Sequence, residues 1–410
     1  MRAAKPASRT GRRPECGCLV SLALYVHIPF CAARCPYCDF NTYAGLDALY
    51  RPYIAALAEE IRRAGAQRSR PAAHTVFIGG GTPTVLPNEL FEKVLRACQA
   101  AFDIAPDAEL TSEANPGTVD QAHFAALRAM GVNRLSMGVQ SFDDAELRFL
   151  GRIHDAGEAE AAIEAARSAG FDNINLDFIF GLPGQDPATW RRTLLTAAEF
   201  QPEHLSLYSL TVESGTPLAE WVQSGQVAEP DDDLAADLYL GAAETLAGLG
   251  LFQYEISNWA REGRQCRHNL VYWRNEPYLG FGAGAHSFDG ERRWWNHRGV
   301  ADYIARVRAG QEPEADSENI DRRLAMGETL MLGLRLVDEG VTDARFRSRF
   351  GVGLFETFGA EIEKLLARGL LEQFDRAPAP ASPQDRGGAG VRLAARGRLL
   401  GNQVFAEFLP

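Results

Sequence analysis

The sequence predicts an α/β protein in which six parallel strands form a partial (β/α)6 barrel, followed by a mainly helical, winged-helix-like domain. Short apolar runs alternate with segments of helical periodicity over roughly two hundred residues. Some runs, such as residues 174–180, are apolar almost throughout, as in strands that are buried on both faces of a parallel sheet. From about residue 301 the pattern changes to consecutive helices.

Serial strand–helix units favour a parallel sheet that curls into an incomplete barrel. The strands are expected at residues 22–28, 74–78, 109–113, 134–139, 174–180 and 204–210. Helices are expected at residues 47–64, 88–101, 144–150, 158–169 and 232–249, with a further helix from residue 120.

The C-terminal region predicts helices and a hairpin with a long polar loop at 376–390. Its helices are expected at residues 321–336, 343–349 and 354–367, and its strands at 370–374 and 391–393. Winged-helix domains often bind DNA, but this one lacks a basic recognition helix and the chain carries a net charge of −12. We therefore expect no nucleic-acid partner, and a domain that packs over the barrel mouth or binds a protein.

The predicted division is a leader at 1–21, a barrel at 22–250, a linker at 251–300 and the C-terminal domain at 301–410. The leader is basic without an apolar core, which excludes an ordinary secretory signal. A mitochondrial transit peptide, a disordered bacterial leader and an early start codon all fit it, and its Cys16 and Cys18 are taken as incidental. The few, clustered cysteines and the absence of an apolar run of about 18 residues favour a reducing cytoplasm.

Unusual residues recur where the predicted strands end. Parallel barrels place their sites on loops at the C-terminal ends of strands, so these residues should meet at one rim. They are the cysteines after the first strand, the Gly79–Thr82 run after the second, and Glu113, Gln140, Asp177 and Thr211 at the next four. The sequence therefore predicts a ligand in the barrel mouth.

Cys31, Cys35 and Cys38 form a C-x3-C-x2-C pattern on one short loop. Three thiolates can hold three corners of an iron–sulfur cube and leave one iron without a protein ligand, open to a small molecule with an amine and a carboxylate. A zinc knuckle is the alternative, but structural zinc needs a fourth ligand and usually paired C-x2-C motifs, which this loop lacks.

This loop, with Tyr37 before its last cysteine, resembles that of the radical S-adenosylmethionine proteins. The surrounding YVHIPFC and CPYCDF are similar to the oxygen-independent coproporphyrinogen III oxidase family, and most similar to its haem-chaperone branch, HemW, from residue 22 to the C-terminus. The resemblance implies a [4Fe-4S] cluster on the three cysteines and bound S-adenosylmethionine. It assigns the S-adenosylmethionine contacts to Tyr25, Tyr37, Gly80, Gly81, Thr82, Glu113, Gln140, Arg152, Asp177 and Thr211.

Each assignment has a structural alternative. Arg152, expected on an exposed helical turn, could form an ordinary salt bridge, and Tyr25 and Tyr37 could simply pack. Asp177 lies inside an apolar strand, where a charge needs a partner.

A second candidate site is the CRHNLVYW segment. Haem iron commonly takes a histidine ligand, but composition alone favours a packed or hydrogen-bonded histidine. The resemblance ties HNxxYW to haem binding and assigns it to His268, Asn269, Tyr272 and Trp273. His286 in GFGAGAHSF is an alternative iron ligand, and a Cys266 thiolate is open but unsupported.

Three functions remain open. A haem chaperone would deliver haem to acceptor proteins, including membrane-bound respiratory enzymes as the resemblance implies, as a monomer or homodimer. A radical decarboxylase of coproporphyrinogen III is the alternative. Phe40 stands where the oxidase pattern has a fourth cysteine, and the short leader and HNxxYW also disfavour it. The third possibility is a zinc-stabilised barrel, which would bind neither haem nor coproporphyrinogen III.

Overall fold

The computed structural model describes residues 22–375 and 388–409. The expected leader with Cys16 and Cys18, and residues 376–387 of the expected polar loop, lie outside the described residues.

The six expected barrel strands are present and lie side by side in chain order, all parallel. They are β1 (Leu22–Ile28), β4 (Ala72–Gly80), β5 (Asp103–Ala114), β6 (Arg134–Gln140), β7 (Ile174–Phe180) and β8 (His204–Ser209). Two minor strands, β2 (Phe30–Cys31) and β3 (Tyr43–Ala44), pair beside the cysteine loop. The apolar runs are buried on both faces, as parallel strands require. The predicted fold class is confirmed.

Helices connect these strands and flank them. They are α1 (Tyr50–Gln67), α2 (Asn88–Ala101), α3 (Gln121–Ala129), α4 (Asp144–Phe149), α5 (Ala156–Ser168), α6 (Pro187–Glu199), α7 (Pro217–Gln223) and α8 (Asp232–Gly248). The sequence analysis did not name α6 and α7. The signal for α6 was present, because Asp186 caps its first turn and Pro187 occupies its first position.

The segment expected as a linker is instead largely part of the sheet. Its strands are β9 (Phe252–Glu255), β10 (Asn258–Ala260), β11 (Tyr278–Phe281), β12 (His286–Phe288) and β13 (Arg292–Asn296), and they join a twelve-stranded sheet with β14 (Glu314–Asn319). They pair with the free edges of β8 and β1, which would otherwise expose unpaired backbone groups. The expectation of a linker at 251–300 is therefore corrected: short strands with aromatic and glycine residues were mistaken for loop.

The segment also contains α9 (Arg267–Trp273), which carries the HNxxYW motif. Its His268 packs against Phe77 of β4, with ring centroids 5.2 Å apart. The Nδ1 of His268 also lies 2.8 Å from the Oγ1 of Thr75, which is in β4. Because Thr75 lies near the N-terminal end of β4, α9 closes the end of the barrel opposite to the cysteines.

The C-terminal region is mainly helical and contains the expected hairpin. Its elements are α10 (Val300–Arg308), α11 (Arg322–Gly333), β15 (Val341–Thr342), α12 (Asp343–Phe350), α13 (Leu354–Ala367), β16 (Leu371–Phe374), β17 (Gly390–Leu393), α14 (Ala395–Leu399) and α15 (Gly401–Ala406). Strands β15, β17 and β16 form a three-stranded antiparallel sheet over a separate core that includes Phe346 and Phe358. Phe288 of β12 belongs to that same core, so this region packs directly on the sheet. Among the helices described, none has the length and apolar character to cross a membrane.

Candidate functional site

The three cysteines lie together at the mouth of the barrel, on the loop after β1. All three are free and partly buried. Thr82 Oγ1 lies 3.7 Å from the Sγ of Cys31, and Thr42 Oγ1 lies 3.9 Å from the Sγ of Cys38. Burial raises the pKa of the Cys31 and Cys38 thiols, and the neighbouring cysteines raise it further. Because a metal takes the thiolate, loading this site must release protons.

The donor set fits an iron–sulfur cluster better than a single ion. Three half-buried thiols on one loop are the donors that such clusters use. Structural zinc usually takes four ligands, and this loop supplies three cysteines.

The glycine run after β4 lies directly against the cysteine loop. Gly80 has a φ of +116°, and a side chain at this position would collide with the ring of His27. At Gly81 a Cβ atom would lie 3.0 Å from the Sγ of Cys31. Glycine is therefore required here so that backbone can approach the cysteines and anything bound to them.

Glu113, at the end of β5, lies behind the glycine run. Its Oε2 accepts a 2.8 Å hydrogen bond from the Gly80 N–H. A Cβ atom on Gly79 would be 2.9 Å from this carboxylate, so the glycine makes room for it. Burial raises the pKa of Glu113 to about 7, and the neighbouring Asp177 also raises it.

Asp177 is held by neighbouring polar side chains in the barrel interior. Its carboxylate accepts hydrogen bonds from Ser136 Oγ at 3.1 Å and from Asn175 Nδ2 at 2.8 Å. Burial raises the pKa of Asp177. The partner that a charge in an apolar strand needs is thus supplied by the protein, and a ligand contact by Asp177 stays a prediction.

Gln140 carries two features that are typical of a ligand site. Its φ is +71°, a conformation that non-glycine residues rarely adopt. Its Oε1 is buried and accepts no hydrogen bond from any described residue. Because buried polar atoms are nearly always paired, this oxygen lacks a partner that a ligand could supply.

Arg152 lies against the cysteine loop rather than on an exposed turn. Its Nη1 is 3.3 Å from the Sγ of Cys35, and its Nη2 donates a 2.8 Å hydrogen bond to the carbonyl of Gly138. Within the described part of the chain it forms no ion pair with a carboxylate, so the salt-bridge alternative is not realised there. A guanidinium at this position can attract an anionic group that binds beside the cysteine loop.

The other expected contacts of S-adenosylmethionine differ in their surroundings. The Tyr25 hydroxyl is 2.9 Å from His27 Nδ1, beside the glycine run. Tyr37 packs on the small apolar cluster that contains Leu150. Thr211 is exposed, and its hydroxyl donates only to the carbonyl of Ser209, at 3.4 Å.

The HNxxYW histidine is enclosed at the opposite end of the barrel. His268 is only 1 % exposed, its Nδ1 is 2.8 Å from Thr75 Oγ1, and its Nε2 is 2.9 Å from the Tyr272 hydroxyl. Burial lowers the pKa of His268 to about 3. Iron ligation by His268 stays a prediction, and it requires one ring nitrogen to give up its present partner.

The remaining motif residues face different surroundings. Trp273 packs in a cluster with Tyr254 and lies 4.4 Å from the guanidinium carbon of Arg335. Asn269 is partly buried on the helix between them. His268 and Tyr272 thus contact each other, whereas Trp273 packs against other neighbours.

Sequence reasoning missed Glu109, which holds α9 in place. Its carboxylate accepts from the backbone N–H groups of Arg267 and His268, both at 3.0 Å, and from the Cys266 thiol at 3.5 Å. Burial raises the pKa of Cys266 to about 12, so this thiol does not offer an open thiolate as a haem ligand. The available signal was a carboxylate within a predicted barrel strand, as at Asp177.

Comparison with known proteins identifies the family. A model of the radical SAM superfamily matches residues 25–197, and a model of the HemN C-terminal domain matches residues 320–377. The heme chaperone HemW of Bacillus subtilis is 37% identical over 94% of this chain and 98% of its own length. The chain belongs to the HemW family.

Other relatives and one solved structure are also similar to this chain. The heme chaperone HemW of Escherichia coli is 41% identical over 65% of this chain and 70% of its own. The mitochondrial radical S-adenosyl methionine domain-containing protein 1 of Mus musculus is 37% identical over 85% and 81%. The solved coproporphyrinogen III oxidase (HemN) from Escherichia coli has a TM-score of 0.79 over 95% of this chain and 90% of its own, but at 24% identity it shows the fold alone. Membership of the radical SAM superfamily implies a [4Fe-4S] cluster and S-adenosylmethionine.

Proposed function

We propose that this protein is a haem chaperone that binds a [4Fe-4S] cluster, S-adenosylmethionine and haem, and delivers haem to acceptor proteins. The observation that carries the proposal is the barrel mouth, where free thiols, a side-chain-free glycine run and an unpaired buried Gln140 oxygen meet. The name heme chaperone, carried by relatives such as that of Bacillus subtilis, supports the haem part. The proposed acceptors are haem-requiring proteins, including membrane-bound respiratory enzymes, and a homodimer stays a prediction.

Cys31, Cys35 and Cys38 would hold the cluster. A bound cluster then offers one iron without a protein ligand, which can take an amine and a carboxylate from a small molecule. Arg152 would lie beside the bound cluster, because its guanidinium is 3.3 Å from the Sγ of Cys35. The backbone of Gly80 and Gly81 would allow the methionine part of S-adenosylmethionine to approach closely.

Glu113, Gln140 and Asp177 would surround the rest of S-adenosylmethionine. A carboxylate accepts hydrogen bonds from an amino group or from a ribose diol. The Gln140 Oε1 would gain in the complex the donor that it lacks among the described residues. These roles follow from family resemblance together with the shared location of the residues at the barrel mouth.

The test is anaerobic reconstitution followed by haem titration and transfer. We expect about four irons per chain, a stable haem spectrum, and passage of haem to apomyoglobin as the probe acceptor, with and without S-adenosylmethionine. Cys35→Ala should abolish the cluster. Cys98→Ala is the matched control, because Cys98 is fully buried in α2 and far from the loop in sequence.

Two outcomes would contradict the proposal. Failure of the wild-type protein to retain haem would exclude a haem chaperone. Anaerobic conversion of coproporphyrinogen III to protoporphyrinogen IX would favour the radical decarboxylase instead, despite Phe40 at the position of a fourth cysteine.

A further inference from the structure

We propose that the haem iron is bound by His286 on the inner face of the sheet extension, and that His268 serves the scaffold. This inference rests on the proposed function, since it assumes that the chain binds haem. It concerns where haem binds, and it follows from the different surroundings of the two histidines.

The register of the strands places His286 on the same sheet face as the cofactor residues. Strand β11 runs parallel to β1, with Gly280 opposite Tyr25. The backbone of His286 in β12 lies directly beside Gly280. Its neighbour two residues on, Phe288, pairs with Tyr278, whose ring packs on Tyr272 of the enclosed α9. Since side chains two apart share a face, His286 points to the inner side of the sheet.

The opposite face of these strands is covered by α1, which confirms this orientation. Asn296 donates to the buried Glu60 of α1 at 2.7 Å, and Trp294 packs on the main core. Trp295 lies between them in sequence and therefore faces the other way, towards His286. The two rings are stacked, with centroids 5.5 Å apart and an angle of 24° between their planes.

The ring nitrogens of His286 have no hydrogen-bond partner among the described residues, whereas both ring nitrogens of His268 have one. His286 is also exposed. The stacked Trp295 fixes its ring plane and adds a flat aromatic surface. A neutral imidazole with a free nitrogen and a fixed orientation is what iron ligation requires.

The C-terminal domain covers the neighbours of His286, whereas His286 itself is exposed. Towards the closed end of the barrel, Phe288 is covered by the C-terminal core, and Arg293 of β13 donates a 2.8 Å hydrogen bond to Glu328 of α11. His286 is two residues from Phe288 along β12, on the side of the barrel mouth. Because adjacent strands are about 4.8 Å apart, it is about 10 Å across the sheet from Tyr25.

A cation for the haem propionates lies nearby. Arg298 is exposed, its charge acts on both His27 and His286, and it forms no ion pair within the described ranges. Arginine binds carboxylates through paired hydrogen bonds. The same arginine therefore links the mouth residues to the proposed haem site.

The test is haem titration of His286→Ala and His268→Gln, with His123→Ala on the outer helix α3 as the matched control. We expect His286→Ala to weaken haem affinity on the order of 10- to 100-fold and to change the Soret band and the electron paramagnetic resonance signature of the axial ligand. His286→Gly should regain the wild-type spectrum when imidazole is added. His268→Gln and His123→Ala should keep the wild-type axial signature.

Three results would overturn the inference. Loss of the axial signature in His268→Gln with retention in His286→Ala would assign the iron to the HNxxYW motif. Retention in both variants would point to a ligand elsewhere. If the wild-type protein binds no haem at all while its cluster is intact, the proposed function fails first, and the inference fails with it.

Discussion

The two ends of the barrel are built from the same strands, but they differ in whether their polar groups have hydrogen-bond partners. At the mouth, three thiols are free and half-buried, and the buried Gln140 Oε1 has no partner among the described residues. At the closed end, Glu109 accepts from three donors of α9, and both nitrogens of His268 are engaged. Buried polar groups without partners cost stability, so leaving one at the mouth indicates a place for a ligand.

The same contrast separates the two histidines that sequence analysis proposed for haem. His268 completes the closed end, and His286 lies exposed on the inner face of the sheet extension. The HNxxYW motif would then support haem binding indirectly, because it builds the closed end of the barrel. If so, changes at the closed end should reduce stability, and changes at the mouth should reduce binding.

Removing Glu109 should have the largest effect of these changes. Glu109→Ala would leave two backbone N–H groups of α9 and the buried guanidinium of Arg134 without this carboxylate. We expect the free energy of unfolding to fall by about 3–5 kcal/mol, as when a buried charge loses its partner. Denaturant titration measures it, as a lower midpoint at an unchanged slope.

The control for this variant is Glu92→Ala, which breaks an exposed pair with Arg96 and should cost about 0.5 kcal/mol or less. Below its unfolding temperature, Glu109→Ala should still load the cluster as the wild type does. A folded variant that is as stable as wild type but fails to load the cluster would contradict the division between the two ends.

A change at Gln140 should affect binding and leave stability intact. Glycine adopts the φ of +71° without strain, so Gln140→Gly removes the side chain at no structural cost. We expect the affinity of the cluster-loaded protein for S-adenosylmethionine to fall about tenfold, the effect of one lost hydrogen bond of about 1.4 kcal/mol. Isothermal titration calorimetry under anaerobic conditions measures the affinity.

Gln201→Gly makes the same substitution at another positive φ, +50°, between α6 and β8 and away from the mouth. It should leave the affinity for S-adenosylmethionine unchanged. Equal losses in the two variants would mean that Gln140 has no special role in binding.

Sequence patterns were sufficient for the barrel because its strands are buried on both faces. Residues 22–28 and 174–180 were predicted with the bounds that β1 and β7 have, since an apolar run between turn residues marks such strands clearly. The glycine run, Glu113 and Gln140 followed from the same rule, because they stand at the ends of strands. Their convergence required only the parallel order of the strands.

The edges of the sheet and the closed end could not be predicted in this way. Strands β11, β12 and β13 have only 4, 3 and 5 residues, so each is too short to show a clear period. The burial of His268 depends on Thr75 and Glu109, which are more than 150 residues away in the chain. No local pattern reports such contacts, and the exposed position of Arg152 was wrongly expected for the same reason.

The smallest effect concerns the pH dependence of stability, and it tests Glu113 at the mouth. Burial raises the pKa of Glu113 from 4.5 to about 7, so between these values the folded protein holds a proton that the unfolded chain has lost. The contribution of Glu113 to the free energy of unfolding must therefore fall as pH rises from about 4.5 to about 7. Glu113→Gln should flatten part of this slope in denaturant titrations at a series of pH values.

Glu60, whose pKa burial also raises to about 7, accounts for another part of the slope, so Glu60→Gln is the control away from the mouth. Saturating S-adenosylmethionine should remove the Glu113 part alone if its amino group contacts this carboxylate, whereas a slope that the ligand leaves unchanged would argue against that contact.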